Sequence, residues 1–203
     1  MLTVLPSPVP SMTTSLLSRI ATTAASLALV ACGPVNVINK GPLATTKAEH
    51  VLYEWYDDGG PGEVRVRIDL TEQRAFYTRG DRAIGWSYVA TGKEGHGTPS
   101  GSYRITEKIV DKHSGSYGWI EDEWGNVTNG DATPRSRVGE GERYVPAPMP
   151  YWMRITGYGI GMHAGVIPKP GETASHGCIR LPKELAPILY DVVKVGTPVA
   201  ISH

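Results

Sequence analysis

The residues of this chain that could carry chemistry are concentrated near its carboxyl terminus. His163 precedes the run Ser175-His176-Gly177-Cys178-Ile179-Arg180, so two histidines and a cysteine lie within sixteen residues. A free thiol has a pKa of about 8.5 and is only slightly ionised at neutral pH, so it needs a base to become a good nucleophile. An imidazole can accept the thiol proton and then protonate a leaving amine. The pattern predicts acyl transfer with Cys178 as the nucleophile.

Backbone flexibility around Cys178 favours the same chemistry. Acyl transfer requires N–H donors that converge on a developing oxyanion, and a glycine next to the nucleophile lets the backbone bend for this purpose. Gly177 is suited to that role. His163 can reach Cys178 only if residues 165–174 fold back, and Pro168, Pro170 and Gly171 favour such a return.

The elements that must position these residues are predicted to be mostly strands. Residues 64–68 alternate apolar and charged side chains, which is the period of a half-buried strand. Further strands are predicted at residues 73–78, 83–90, 101–109, 151–155, 159–164 and 198–202. One helix is predicted at 183–193 and ends before Gly196. Pro187 lies within this range, and a proline in a helix interior favours a late start or a break. The fold class is therefore mainly β, a sandwich or barrel with one short helix after the cysteine motif.

Residues 111–150 show no sustained hydrophobic period, because glycine, serine, proline and charged residues are scattered among Trp119, Trp124 and Tyr144. Connections of this length without their own structure usually serve a function or are partly disordered. We therefore expect a lid-like insertion over the site.

The amino-terminal region has the features of an export signal. Arg19 precedes an apolar stretch, residues 20–31, that is too short to span a bilayer as a helix but suits a signal-peptide core. A signal peptide that begins at Met12 would have a short segment, residues 12–19, directly before the apolar stretch, so the sequence leaves the start at Met1 or Met12 open. Residues 29–32, Leu-Val-Ala-Cys, resemble the lipobox of bacterial lipoproteins, in which Cys32 is lipidated; an ordinary signal peptide cut after Ala31 is the alternative.

This predicts three regions: a lipoprotein signal peptide at 1–31, a flexible tether at 32–50 and a catalytic domain at 51–203. A lipid anchor would place the domain on the periplasmic side of the cell envelope. Gly33 after the cysteine favours the outer membrane over the inner one. Acidic and basic residues both number 20, so no overall charge favours nucleic acid.

The cysteine motif resembles the signature of the L,D-transpeptidase catalytic domain family, of the YkuD type. That signature is a histidine followed after a dozen or so residues by Ser-His-Gly-Cys, an apolar residue, and Arg or Asn, and all of it is present here. Residues 90–93, Ala-Thr-Gly-Lys, and 98–105, Thr-Pro-Ser-Gly-Ser-Tyr-Arg-Ile, look like the family's threonine-glycine turn and Thr-Pro-x-Gly strand. Residues 150–163 are also similar, so the resemblance covers roughly residues 63 to 202.

The resemblance implies a two-step acyl transfer on peptidoglycan tetrapeptide stems. A cysteine thiolate attacks the amide between diaminopimelate and the terminal D-alanine, which leaves a thioester. An amine from another stem, or from an envelope lipoprotein, then forms a 3→3 crosslink or an anchored protein. Water would give an L,D-carboxypeptidase product instead. No cofactor is implied.

The resemblance also assigns roles to individual residues. Cys178 is the nucleophile, His163 the general base, and His176 a support for the thiolate or the substrate. Gly177 with Cys178 offers oxyanion N–H groups. The expected substrate-binding residues are Ser175, Arg180, Tyr151 and Trp152, with Arg180 either bracing the loop or facing a substrate carboxylate.

Three alternatives stay open on the sequence. His163, His176 and Cys178 could bind zinc, although alternate residues 176 and 178 would point to opposite faces of an extended segment. The chain could be a non-catalytic, peptidoglycan-binding lipoprotein. It could also be an amidase that hydrolyses crosslinks with the same cysteine. His96 and His113 are expected to be surface loop residues.

Overall fold

The computed structural model describes residues 51–203, so the predicted signal peptide, the lipidation site at Cys32 and the tether lie outside the described residues. The elements in chain order are β1 (Tyr53–Trp55), β2 (Val64–Asp69), β3 (Arg74–Arg79), β4 (Arg82–Tyr88), β5 (Gly101–Arg104), β6 (Glu107–Ile109), β7 (His113–Glu121), β8 (Val127–Ala132), β9 (Arg143–Pro148), β10 (Trp152–Arg154), β11 (Gly161–Ala164), β12 (Ile179–Leu181), α1 (Leu185–Val192) and β13 (Pro198–Ser202). The predicted mainly β class with one short helix is confirmed.

A six-stranded sheet has the order β1-β4-β3-β2-β13-β5. Its strand β2 shows the predicted alternation, with Val64, Val66 and Ile68 buried and the two arginines between them exposed. The carboxyl-terminal strand β13 lies parallel to β2 and antiparallel to β5, so the two ends of the domain are joined in one sheet.

A four-stranded sheet, β12-β11-β10-β6, carries the predicted chemistry. Strands β11 and β12 are parallel, with His163 opposite Arg180 in the register. The single strand predicted for residues 101–109 is two strands in two different sheets. The chain changes sheets in one step, because the Ile105 N–H donates to the Thr197 carbonyl and the Thr106 N–H donates to the Arg154 carbonyl.

Residues 113–148 form a third sheet, β8-β7-β9, which we call the insertion sheet. The expectation of a connection without its own structure was wrong. Register shifts interrupt both pairings of β7, and five of the six residues of β8 are exposed. A sheet that has an irregular register and few buried side chains needs no alternation of apolar and polar residues. The sequence therefore carries no strand period here.

The helix α1 begins two residues later than predicted. Pro187 is its third residue, where a backbone N–H has no partner within the helix, so the proline costs no hydrogen bond there. Leu185, Leu189 and Val193 are buried, as the predicted apolar face requires.

One cluster of buried side chains joins the six-stranded sheet, the four-stranded sheet and α1. All four residues of β11 are buried, and Met162 and Ala164, on either side of His163, belong to this cluster. The histidine is therefore held by packing on both faces of its strand. In residues 51–203 no helix has the length and apolarity needed to span a membrane.

Candidate active site

Cys178 lies directly before β12 and lines a cavity of about 410 Å³, which we call the cysteine cavity. The thiol is half-buried and is the one free cysteine in the described part of the chain. Its Sγ lies 3.8 Å from the Gly159 carbonyl, to which the S–H donates. The backbone N–H of Gly161 lowers the pKa of this thiol. The thiol is thus accessible to a ligand and has backbone partners for its neutral and charged forms.

The cysteine loop, residues 174–178, is held by two hydroxyl groups. The Thr98 hydroxyl donates to the Gly177 carbonyl at 2.7 Å and accepts from the Gly92 N–H at 2.9 Å. The Ser175 hydroxyl donates to the Cys178 carbonyl and accepts from the Gly177 N–H at 3.1 Å. Ser175 is buried, so it positions the loop from within.

Gly177 has φ of +110°, a conformation that side-chain-bearing residues rarely adopt, so glycine is required at this bend. Its N–H already donates to Ser175, however, and is not the free oxyanion donor that the sequence predicted. The Gly161 N–H, which lowers the pKa of the Cys178 thiol, is a further candidate donor. Nothing in the sequence marks Gly161 for this role, because the contact depends on how β11 enters the site.

His163 has the orientation of a base. Its Nδ1 lies 2.9 Å from the Ala164 carbonyl, and a carbonyl only accepts, so Nδ1 carries the proton and Nε2 keeps its lone pair. The parallel register puts Cys178 one position beyond the strand pairing, with its side chain on the same face as that of His163. Strand geometry then gives a separation of roughly 8 Å between the two Cα atoms. The two side chains can meet across that distance.

Burial sets the protonation of both groups. It lowers the pKa of His163 to about 4, and the neighbouring Arg180 charge acts in the same direction. Burial also raises the pKa of the Cys178 thiol, against the opposing effects of the Gly161 N–H and Arg180. The resting site therefore holds a neutral thiol and a neutral imidazole.

The lowered pKa of His163 predicts a loss of stability in acid. The unfolded chain binds a proton near pH 6.5 and the folded chain only near pH 4, so the unfolded state gains protons first and the free energy of unfolding falls across this window. We expect the titration of this one histidine to lower the free energy of unfolding by about 2 kcal/mol between pH 7 and pH 5. His163→Gln should lose that part of the pH dependence in urea unfolding at the two pH values. Equal pH dependence in the two proteins would contradict it.

His176 belongs to a cluster that the sequence did not reveal. Its Nε2 lies 3.0 Å from Asp131 Oδ1 on β8, and the other carboxylate oxygen is 3.1 Å from Lys93 Nζ. Its ring stacks on Tyr117 of β7, with centroids 4.3 Å apart and planes inclined by 16°. The His96 ring contacts the His176 ring edge-on, with the two centroids 4.8 Å apart. His176 therefore forms part of the wall of the cysteine cavity, which it lines together with Cys178.

His96 and His113 have different surroundings. His96 lies in a loop, as expected, but it is half-buried because its ring packs against His176. His113 is exposed at the start of β7, as expected, although it lies in a strand. Its only nearby carboxylate in residues 51–203 is Asp111, at 3.7 Å.

A second cavity, of about 590 Å³, lies on the His163 side and is called the arginine cavity. Arg180 lines it, and the half-buried guanidinium forms no ion pair with any carboxylate of the described residues. The backbone of Arg180 pairs with Ala90 in both directions, and its aliphatic part packs against Gly165. Its backbone thus braces the loop while its charge faces the cavity.

Tyr151 and Trp152 occupy different positions although they are adjacent. Tyr151 lines the arginine cavity and has φ of +58°, a left-handed conformation that is rare for a bulky residue and concentrates at functional sites. Trp152 is 1% exposed, donates from Nε1 to Glu107 at 3.2 Å and lies 6.2 Å from the His163 ring. Trp152 also lines the cysteine cavity, so the two adjacent residues face different cavities.

The zinc alternative needs His163, His176 and Cys178 together. Within residues 51–203, no three His, Cys, Asp or Glu side chains are grouped closely enough to hold a metal ion. His176 directs its Nε2 to Asp131, and His163 and Cys178 line different cavities.

An accessible thiol and a neutral, oriented imidazole on one face of two adjacent parallel strands are the features of cysteine-dependent acyl-transfer sites. The family model of the YkuD L,D-transpeptidase catalytic domain matches residues 63–201, and the chain belongs to this family.

Solved structures share the fold. An L,D-transpeptidase from Mycobacterium smegmatis is 20% identical with a TM-score of 0.53, over 70% of this chain and 59% of that one. A cysteine-to-serine variant from Enterococcus faecium is 22% identical with a TM-score of 0.52, over 70% of this chain and 50% of that one. The catalytic domain of an E. faecium L,D-transpeptidase is 25% identical with a TM-score of 0.50, over 69% of this chain and 97% of that one.

The chain thus spans about 59% of the length of the M. smegmatis structure and nearly all of the isolated E. faecium domain. A sequence comparison with curated proteins finds no match.

Proposed function

We propose that the protein is a peptidoglycan L,D-transpeptidase that acts on tetrapeptide stems through a Cys178 thioester. The observation that carries the proposal is the placement of the cavity-facing Cys178 thiol and of His163 on the same face of two adjacent parallel strands. The Nε2 lone pair of His163 is free because Nδ1 donates to the Ala164 carbonyl. Membership of the L,D-transpeptidase catalytic domain family supports this reaction over others that a cysteine could perform.

In the first step, the Cys178 sulfur bonds to the carbonyl carbon between diaminopimelate and D-alanine while the thiol proton moves to His163 Nε2. The carbonyl oxygen becomes an oxyanion beside the Gly161 N–H. Collapse of this intermediate breaks the carbon–nitrogen bond, and the imidazolium returns the proton to the departing amine of D-alanine. A thioester on Cys178 and a neutral His163 remain.

In the second step, an amine attacks the thioester carbonyl and passes its proton to His163, and the proton then returns to the leaving sulfur. The products are a 3→3 crosslink, or a linked envelope lipoprotein, and the free thiol. With water as the acceptor the product is a tripeptide stem.

The two cavities suit two peptide substrates. The cysteine cavity, which holds the thiol, would receive the donor stem. The arginine cavity shares Ala147 and Met149 with it and offers the unpaired Arg180 charge to a carboxylate of the acceptor. Arg180 would thereby favour acceptors that carry an acid group next to the nucleophilic amine.

Incubation of the full chain in detergent with purified disaccharide tetrapeptide tests the proposal, with Cys178→Ala as the control. Mass spectrometry should show loss of D-alanine together with a crosslinked dimer, and both should require Cys178. Loss of D-alanine without a dimer would indicate a carboxypeptidase. Cleavage of supplied crosslinks without loss of D-alanine would indicate a hydrolase. If no product depends on Cys178, the proposal is contradicted and the non-catalytic, peptidoglycan-binding alternative is favoured.

The proposed location is the periplasmic side of the cell envelope, with a lipid anchor on Cys32 and the outer membrane favoured by Gly33. The lipobox-like sequence of residues 29–32 after an apolar stretch supports the anchor. An anchor would place the domain next to its polymeric substrate without a separate binding module.

An alkyne-bearing fatty acid supplied to expressing cells should label the wild-type chain and should fail to label Cys32→Ser. Labelling that persists in Cys32→Ser would exclude lipidation at this cysteine. Fractionation of the labelled protein between inner and outer membranes then tests the proposed sorting.

A further inference from the structure

The cluster around His176 joins three segments that are distant in the sequence. Lys93 and His96 belong to the connection after β4, Tyr117 and Asp131 to the insertion sheet, and His176 to the cysteine loop. Lys93 also donates its backbone N–H to the Ser175 carbonyl at 2.9 Å, so its chain position is tied to the cysteine loop. Asp131 is the member of the cluster that contacts both Lys93 and His176.

The exposure of Asp131 and the confinement of His176 indicate that their contact orients the imidazole more than it stabilises the fold. The Asp131 side chain is 65% exposed, so its ion pairs contribute little to stability. His176 is 19% exposed and lies between two other rings, so the carboxylate on Nε2 fixes the rotation of an already confined imidazole. Orientation, and not folding, is the property that this contact controls.

We infer that Asp131 is a positioning residue, which orients His176 so that its ring and the ring of Tyr117 form one continuous wall of the cysteine cavity. This deepens the proposed function and rests on it. His176 and Tyr117 both line the cavity beside Cys178, and the wall they form faces the space that the donor stem would occupy. Asp131 is carried by the insertion sheet, so a change in that sheet would alter the wall without touching the nucleophile.

The groups that face His176 give the inference a direct electrostatic signature. Burial lowers the pKa of His176, Lys93 and His96 lower it further, and Asp131 raises it; Tyr117 is the remaining titratable contact. Asp131→Asn should therefore lower the pKa of His176, while Lys93→Gln should raise it. Opposite shifts from the two variants distinguish a specific ion-pair geometry from general loosening.

The experiment uses the full chain in detergent with selectively labelled histidine, as wild type, Asp131→Asn, Lys93→Gln and the matched control Glu140→Gln. Glu140 is an exposed acid in the turn between β8 and β9. An NMR titration gives the pKa of His176, and nuclear Overhauser contacts report the stack on Tyr117. Steady-state release of D-alanine from the tetrapeptide gives kcat and KM.

We expect Asp131→Asn to lower the pKa of His176, weaken the contact with Tyr117, and raise KM about tenfold with kcat changed by less than about threefold. The thermal unfolding midpoint should stay at the wild-type value, and Glu140→Gln should match wild type throughout. An unchanged His176 pKa and an intact ring contact in Asp131→Asn would overturn the inference. The NMR measurements decide it even if the wild type releases no D-alanine, which would instead refute the proposed function.

Discussion

Cys178→Ser should lower the rate of D-alanine release from a tetrapeptide stem by about 10³-fold or more. The hydroxyl is nearly isosteric with the thiol, so the half-buried position and the contact with the Gly159 carbonyl can be kept. A hydroxyl ionises far less readily, however, and burial lowers the pKa of His163 to about 4, so this imidazole is too weak a base to compensate for that difference. The measurement is single-turnover release of D-alanine by wild type and variant at neutral pH.

Cys32→Ser is the matched control for this change, because Cys32 and Cys178 are the two cysteines of the chain. It removes the other thiol and leaves the cavity unaltered, so its rate on a soluble stem should equal that of the wild type. Release by Cys178→Ser within a few-fold of wild type would mean that the sulfur takes no part in the rate-determining chemistry.

The second large effect concerns the base. His163→Gln should reduce kcat/KM by about 10²- to 10⁴-fold, the usual contribution of a general base. Glutamine can still donate to a backbone carbonyl as Nδ1 does, but it cannot accept the thiol proton. The deficit should shrink as the pH rises towards the pKa of the thiol, since the sulfur then ionises without help.

A change at an exposed histidine provides the comparison for His163→Gln. The His113 side chain is 51% exposed and its ring lies outside both cavities, so His113→Gln should keep the wild-type rate and pH dependence. A His163→Gln deficit that stays constant as the pH rises would argue that His163 supports the strand and does not carry the proton.

The parts of the fold that sequence predicted well are those in which one face of a strand meets the core. Residues 64–68 alternate because β2 is buried on one side only, and the apolar face of α1 is clear for the same reason. The sequence did not predict the change from one sheet to the other at Ile105, because the residues before and after it, in β5 and β6, are all extended. The insertion sheet was missed because its exposed strands and shifted registers remove the hydrophobic period.

The site was predictable to the extent that it is local in sequence. His163 and the cysteine loop are brought close by two parallel strands, as their spacing suggested. The partners that arrive from other segments were not visible. Asp131 is separated from His176 by 45 residues, and Thr98 reaches Gly177 from the connection before β5. The occupied N–H of Gly177 could not be foreseen either, because it depends on the rotamer of Ser175.

Detection of the acyl-enzyme tests the central claim most directly. The full chain in detergent would be mixed briefly with disaccharide tetrapeptide, quenched in acid, digested and analysed by mass spectrometry for the peptide that contains Cys178. The account predicts that this peptide gains the mass of the substrate less D-alanine, and that the adduct is removed by hydroxylamine. A wild-type chain that releases D-alanine while Cys178 stays unmodified at every quench time would contradict the thioester mechanism.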